Sequence, residues 1–76
     1  MRENLRQARK EKSMTQQQMA NYLHTDVRYY KQIESGERLG SIKMWDALED
    51  LFSIHQRILR EISEIHHGKA NNQRSV

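Results

Sequence analysis

Residues 15–36, TQQQMANYLHTDVRYYKQIESG, read as two short helices joined by a tight turn, the second packed across the first. Thr15 is a good N-cap, and Gln18 three residues on completes a capping box. Met19, Ala20 and Leu23 then share one face of a helix of about two turns. Ala20 is the smallest apolar residue available where another helix must cross closely. His24-Thr25 is the turn, and Asp26 caps the second helix, where its charge suits the helix N-terminus. From Val27 to Ser35, Tyr30 and Ile33 face inward, while Val27, Arg28, Tyr29, Lys31 and Gln32 remain on or near the outer face. Gly36 is the C-terminal stop.

The flanks supply the rest of a helical domain. Met1 to Lys12 is rich in helix formers, with Met1, Leu5 and Ala8 as a thin apolar stripe. Arg9 lies beside that stripe, an unusual place for a charge unless it snorkels or meets a carboxylate. Lys12-Ser13 ends this helix, and Met14 dips into the core. Glu37 to Gly40 is a connecting loop. Ser41 caps a helix through Phe52, with Ile42, Trp45, Leu48, Leu51 and Phe52 apolar and Asp46, Glu49 and Asp50 opposite. A last helix is expected from about Gln56 to His66, with Ile58, Leu59, Ile62 and Ile65 on its apolar side. The pattern predicts a compact all-α domain of five helices over residues 1–67. The tail, residues 68–76, GKANNQRSV, is basic, lacks apolar residues for packing and is expected to be disordered.

Composition narrows the partners. The chain has 76 residues, enough for one domain, with no proline and no cysteine. Disulfides and thiolate metal sites are excluded, and a reducing compartment is expected. Apolar runs are too short for a membrane span or a signal-peptide core, so a cytoplasmic protein is expected. The net charge of +3 is unevenly spread: residues 1–12 carry five basic and two acidic side chains, and the tail adds Lys69 and Arg74. Basic flanks around a mixed centre favour a polyanion. His66-His67 point in different directions on a helix, and neither His24 nor His55 has an acidic or histidine partner at i+3 or i+4. No metal and no cofactor is expected. With no serine–histidine–carboxylate motif and no glycine-rich phosphate loop, neither is an enzyme.

Residues 5–52 resemble the lambda-repressor-like, or XRE/Cro-C1-type, helix-turn-helix family. The matching words are TQQQMA, DVRYYKQIESGER and SIKMWDALEDLF; the IHQRILREI segment is also similar to a subset of small regulators from Gram-positive bacteria and their phages. The resemblance implies a role for Gln16 in contacting the DNA backbone and bracing the second helix of the motif. It implies that Val27, Arg28 and Gln32 reach base edges, that Tyr29 lies between them, and that Ser35, Gly36 and Arg38 meet phosphates. It implies a buried structural ion pair of Arg9 with Glu34. Gln17, Lys31 and Lys43 are further candidates for the DNA backbone, as are Arg2, Arg6, Lys10, Lys69 and Arg74 for sequence-independent phosphate contact. Two departures stand out. His24 occupies a turn position where the family usually has glycine, at a cost of roughly 1–2 kcal/mol for a left-handed backbone. Tyr30, where an aliphatic residue is commoner, needs a partner for its hydroxyl.

The chemistry suits a duplex. A helix fits the major groove, arginine forks onto guanine O6 and N7, and glutamine bonds adenine N6 and N7. Arg28 and Gln32 are spaced i, i+4 and project from one face. The leading expectation is a sequence-specific double-stranded DNA-binding transcriptional regulator, a phage or mobile-element repressor. The alternative is a protein-binding adaptor, antirepressor-like, using the acidic face of helix four and helix five. Ile58, Ile62 and Ile65 either cover the core or form a homodimer surface; a regulatory protein or peptide is a further candidate partner.

Overall fold

The computed structural model describes residues 1–63. Five helices follow one another: α1 (Glu3–Glu11), α2 (Gln16–Tyr22), α3 (Val27–Ser35), α4 (Ile42–Phe52) and α5 (Gln56–Arg60). No strand occurs among the described residues, and none of their helices is long and apolar enough to cross a membrane.

Local chemistry sets most helix starts. At α2 both halves of the capping box form: Gln18 N–H donates to Thr15 Oγ1 at 3.0 Å, and Thr15 N–H to Gln18 Oε1 at 2.8 Å. Asp26 Oδ1 accepts from Tyr29 N–H at 2.7 Å, and Ser41 Oγ from Met44 N–H at 3.1 Å, so α3 and α4 are capped alike. The α2–α3 turn is a Schellman closure. His24 adopts φ 60°, its N–H donates to Asn21 O at 3.2 Å, and Thr25 N–H donates to Ala20 O at 2.9 Å. Gly36 ends α3 with φ 95°, a conformation that needs no side chain.

The core joins all five helices through Leu5, Ala8, Met19, Ala20, Tyr30, Ile33, Met44, Trp45, Leu48, Phe52 and Leu59. Met19 and Ala20 let α2 and α3 approach, while Leu59 brings α5 under α1 and α4. Met14, Leu23 and Leu51 pack half-buried at its edge.

Four expectations are corrected. Ile42 is 77% exposed, and Met44 takes the inward position instead. At ~100° per residue, Met44, Trp45, Leu48 and Phe52 span one arc of α4, and Ile42 falls about 60° beyond its edge. Met1 precedes α1 and is exposed, so it adds nothing to the apolar stripe. The last helix stops at Arg60 rather than His66. Glu61 is extended, at φ −57° and ψ 133°, and Ser63 N–H donates to Met1 O at 2.7 Å. The cause is long-range: Arg2 Nε donates to the Arg60 carbonyl at 2.9 Å, an acceptor that a continuing helix would have used. Ile65, His66, His67 and the tail, with Lys69 and Arg74, lie outside the described residues.

Arg2 is the fourth. Instead of standing free for phosphate, it is 4% exposed. Its Nη1 donates to Ile33 O at 2.6 Å and to Arg38 O at 2.9 Å, and its guanidinium carbon sits 5.2 Å from the centroid of Trp45. Trp45 in turn donates from Nε1 to Leu39 O at 2.6 Å. Arg2 thus caps the C-terminal ends of α3 and α5, where the helix dipoles favour a cation. Burial, and then the nearby charge of Arg60, hold its pKa below the usual arginine value.

Candidate nucleic-acid interface

The second helix of the motif, α3, has two unlike sides. Inward, Glu34 is 2% exposed and collects donors from three directions. Arg9 Nε donates to Oε2 at 2.8 Å and Arg9 Nη2 to Oε1 at 3.2 Å, a bidentate pair between α1 and α3. Tyr30 Oη donates to Oε2 at 2.7 Å, which gives that hydroxyl its partner. Gln16 Nε2 donates to Oε1 at 3.1 Å from the first turn of α2. The remaining arm of Arg9 donates from Nη1 to Met14 O at 2.8 Å. One carboxylate therefore ties α1, α2 and α3 together.

These contacts determine the protonation states. Burial alone would push the Glu34 carboxyl up, but hydrogen bonds from Arg9, Tyr30 and Gln16, with the Arg9 charge, hold it below the usual carboxylate range. The hydrogen bond to Glu34 raises Arg9 further against its own desolvation. Burial, reinforced by the adjacent carboxylate, keeps the Tyr30 phenol protonated well above its ordinary range.

Outward, α3 presents a polar surface. Arg28 and Lys31 are exposed, and Tyr29 and Gln32 are half-buried. Val27 is also half-buried, packed against the core rather than standing free. With Asp26 and Arg38, the side chains of Arg28, Tyr29 and Gln32 line a shallow hollow of about 290 Å³. Arg38 reaches back over the helix: its Nε donates to Gln32 Oε1 at 2.7 Å, and its guanidinium carbon lies 5.8 Å from the Tyr29 ring centroid. Ser35 Oγ donates to Gln32 O at 3.1 Å and accepts from Glu37 N–H at 3.3 Å, which fixes the loop leaving α3. Gln17 is exposed and donates to Asn21 at 3.1 Å, and Lys43 stands exposed on the first turn of α4.

Residues 5–55 match the family model described as helix-turn-helix. The chain belongs to the lambda-repressor-like helix-turn-helix family. The helix-turn-helix pair is α2 and α3, and the family is one of DNA-binding regulators, which makes the outer side of α3 the candidate interface. Neither the comparison with curated proteins nor that with solved structures finds a match.

The structure gathers the sequence-selected residues into two groups. Arg28, Tyr29, Lys31, Gln32, Ser35, Gly36 and Arg38 belong to α3 and the loop after it, whereas Gln16 turns its amide inward to Glu34. Two roles escaped sequence reasoning: Arg2 as an interior brace, and Arg38 as a neighbour of Gln32. Neither has a local signal, because Arg2 binds backbone carbonyls that every residue possesses. Arg38 meets Gln32 only because Gly36 reverses the chain between them. Ile58 and Ile62 are 45% and 48% exposed, but α5 ends between them, so they do not form one helical stripe.

Proposed function

We propose that this helix-turn-helix protein is a sequence-specific double-stranded DNA-binding transcriptional regulator, a phage or mobile-element repressor working at the bacterial nucleoid, that lays α3 in the major groove of an operator. The observation that carries this reading is the two-sidedness of α3. Its inner side is bolted to α1 and α2 through Glu34, and its outer side offers Arg28, Tyr29, Lys31 and Gln32 in hydrogen-bonding array. A rigid helix with a row of polar side chains on its outer face is what base reading requires. Val27, Arg28 and Gln32 are assigned to base edges. Gln16, Gln17, Tyr29, Lys31, Ser35, Gly36, Arg38 and Lys43 are assigned to the DNA backbone, and sequence-independent affinity comes from such phosphate contacts. Through Ile58 and Ile62, with Ile65 beyond the described residues, two copies would set their α3 helices about 34–36 Å apart on a palindrome.

The adaptor reading receives less support. Gln56 donates from Nε2 to Asp46 Oδ1 at 2.8 Å and to Glu49 Oε1 at 3.0 Å, so much of the acidic face of α4 is already engaged within the fold.

Selection from random duplex DNA tests the proposal: a recovered palindrome is expected, and failure to enrich any sequence overturns it. On the selected site, Arg28→Ala is expected to weaken specific binding by about 1–3 kcal/mol and relax one base position. Titration against operator and random duplex measures this, and equal losses on both would make Arg28 a phosphate contact.

A further inference from the structure

A glutamine side chain reads a base according to which end of its carboxamide faces the groove. Free to turn, it offers adenine an acceptor for N6 and a donor for N7. Gln32 is not free. Arg38 Nε donates to its Oε1 at 2.7 Å, and because a guanidinium has only donors, no flipped carboxamide satisfies that contact. Arg38 is itself held at three points. Its N–H donates to Gln32 O at 3.2 Å, its carbonyl accepts from buried Arg2 at 2.9 Å, and its guanidinium rests near the Tyr29 ring. The main chain of Arg38 is thus anchored in the interior while its side chain reaches the outer side of α3.

We infer that Arg38 is a specificity-determining residue, which fixes the Gln32 carboxamide with its amide hydrogens toward the groove so that the two side chains together read guanine rather than adenine. The inference rests on the reading that α3 enters the major groove. Guanine presents two adjacent acceptors, O6 and N7, to the groove. Gln32 Nε2 and the terminal N–H groups of Arg38 are all donors, the chemistry that an edge of two acceptors takes. Adenine presents an amino group beside N7, and the cation against Oε1 opposes its approach. Arg38 therefore acts on base choice, a different role from the sequence-independent phosphate contact first assigned to it.

The test uses the full chain and the selected operator. Gln32→Ala locates the position Gln32 reads, as the base pair at which discrimination is lost. At that position the unaltered protein is expected to prefer guanine over adenine about tenfold. Arg38→Ala and Arg38→Met are expected to shift the preference toward adenine while leaving the other positions unchanged. In the Gln32→Ala background, Arg38→Ala is expected to bring no shift from guanine to adenine. A uniform loss of affinity with unchanged preference would overturn the inference, as would adenine preferred by the unaltered protein. In both cases the operator itself is still selected. If no operator is selected at all, the DNA-reading proposal fails and the inference with it. Arg38 is exposed, so both variants are expected to melt as the parent does, and Arg38→Met retains the side-chain stem.

Discussion

Arg9 and Arg2 are both buried where the N-terminal segment meets α3, and they are accommodated in different ways. Arg9 meets a carboxylate that two other donors, Gln16 Nε2 and Tyr30 Oη, help to define. Among the described residues Arg2 meets no carboxylate; it has three main-chain carbonyls and the face of Trp45. The first arrangement is an ion pair between side chains, and losing either partner strands a charge. The second draws on partial charges at helix C-termini, which persist whatever side chains surround them. An ion pair specifies which helices meet. A carbonyl-bound arginine specifies only where their ends are.

Removing each cation separates the two arrangements. Arg9→Ala leaves Glu34 buried without its counter-charge and is expected to cost about 3–5 kcal/mol, a large share of the stability of so small a domain. Chemical denaturation measures it; a loss under 1 kcal/mol would mean that the pair is compensated by water. Arg2→Met keeps the apolar stem over Trp45 and strands carbonyls that no longer have a charged donor. About 1–3 kcal/mol is expected, less than for Arg9 because nothing charged is left behind. If Arg2→Met proves the costlier, the ranking of pair over carbonyl cage is wrong.

Tyr30→Phe probes the pair more finely. Glu34 is held below its ordinary pKa in the folded state, so its stabilisation is present above the unfolded value and lost as pH falls through the folded one. Without the Tyr30 hydroxyl the folded pKa rises toward the ordinary range. Acid unfolding is then expected to begin at higher pH, with about 1.5 kcal/mol lost near neutrality. Melting curves across an acid series read both effects, and an unmoved acid limb would show that Arg9 alone sets the carboxylate.

The smallest change sharpens all three. His24 at φ 60° touches neither arginine, and His24→Gly is expected to add about 1 kcal/mol by relieving its left-handed backbone. Thermal melting checks the gain. A site independent of both networks should add its increment to each variant unchanged, giving a stabilised background in which the costlier losses can be compared.

What the sequence revealed follows from the range of the interaction. The α2–α3 turn was legible because every bond in it is local: the capping box, the Asp26 cap, the His24 backbone and the Gly36 stop lie within a few residues of their partners. Arg9 was conspicuous because a charge beside an apolar stripe demands a reason. Arg2 reads as a candidate phosphate contact because its true acceptors are backbone carbonyls, which leave no trace in residue identity. The end of α5 was misplaced for the same reason: the bond that stops it comes from the other end of the described chain. Ile42 was misassigned because hydrophobic character identifies a helix face only to within one turn at a helix start. Among the interface residues, side-chain types suggested groove chemistry, but nothing in the sequence tied Arg38 to Gln32.

The bond from Arg2 to the Arg60 carbonyl joins residues 58 positions apart. Closing so long a loop costs chain entropy that local turns do not, and contacts of this kind form late. During synthesis, α2 and α3 have each other as soon as Gly36 has been made. Arg2 must wait for Arg60, and only then do both helix ends gain their cation. The α2–α3 pair has its partners first, and the clasp made by Arg2 is the last part to close.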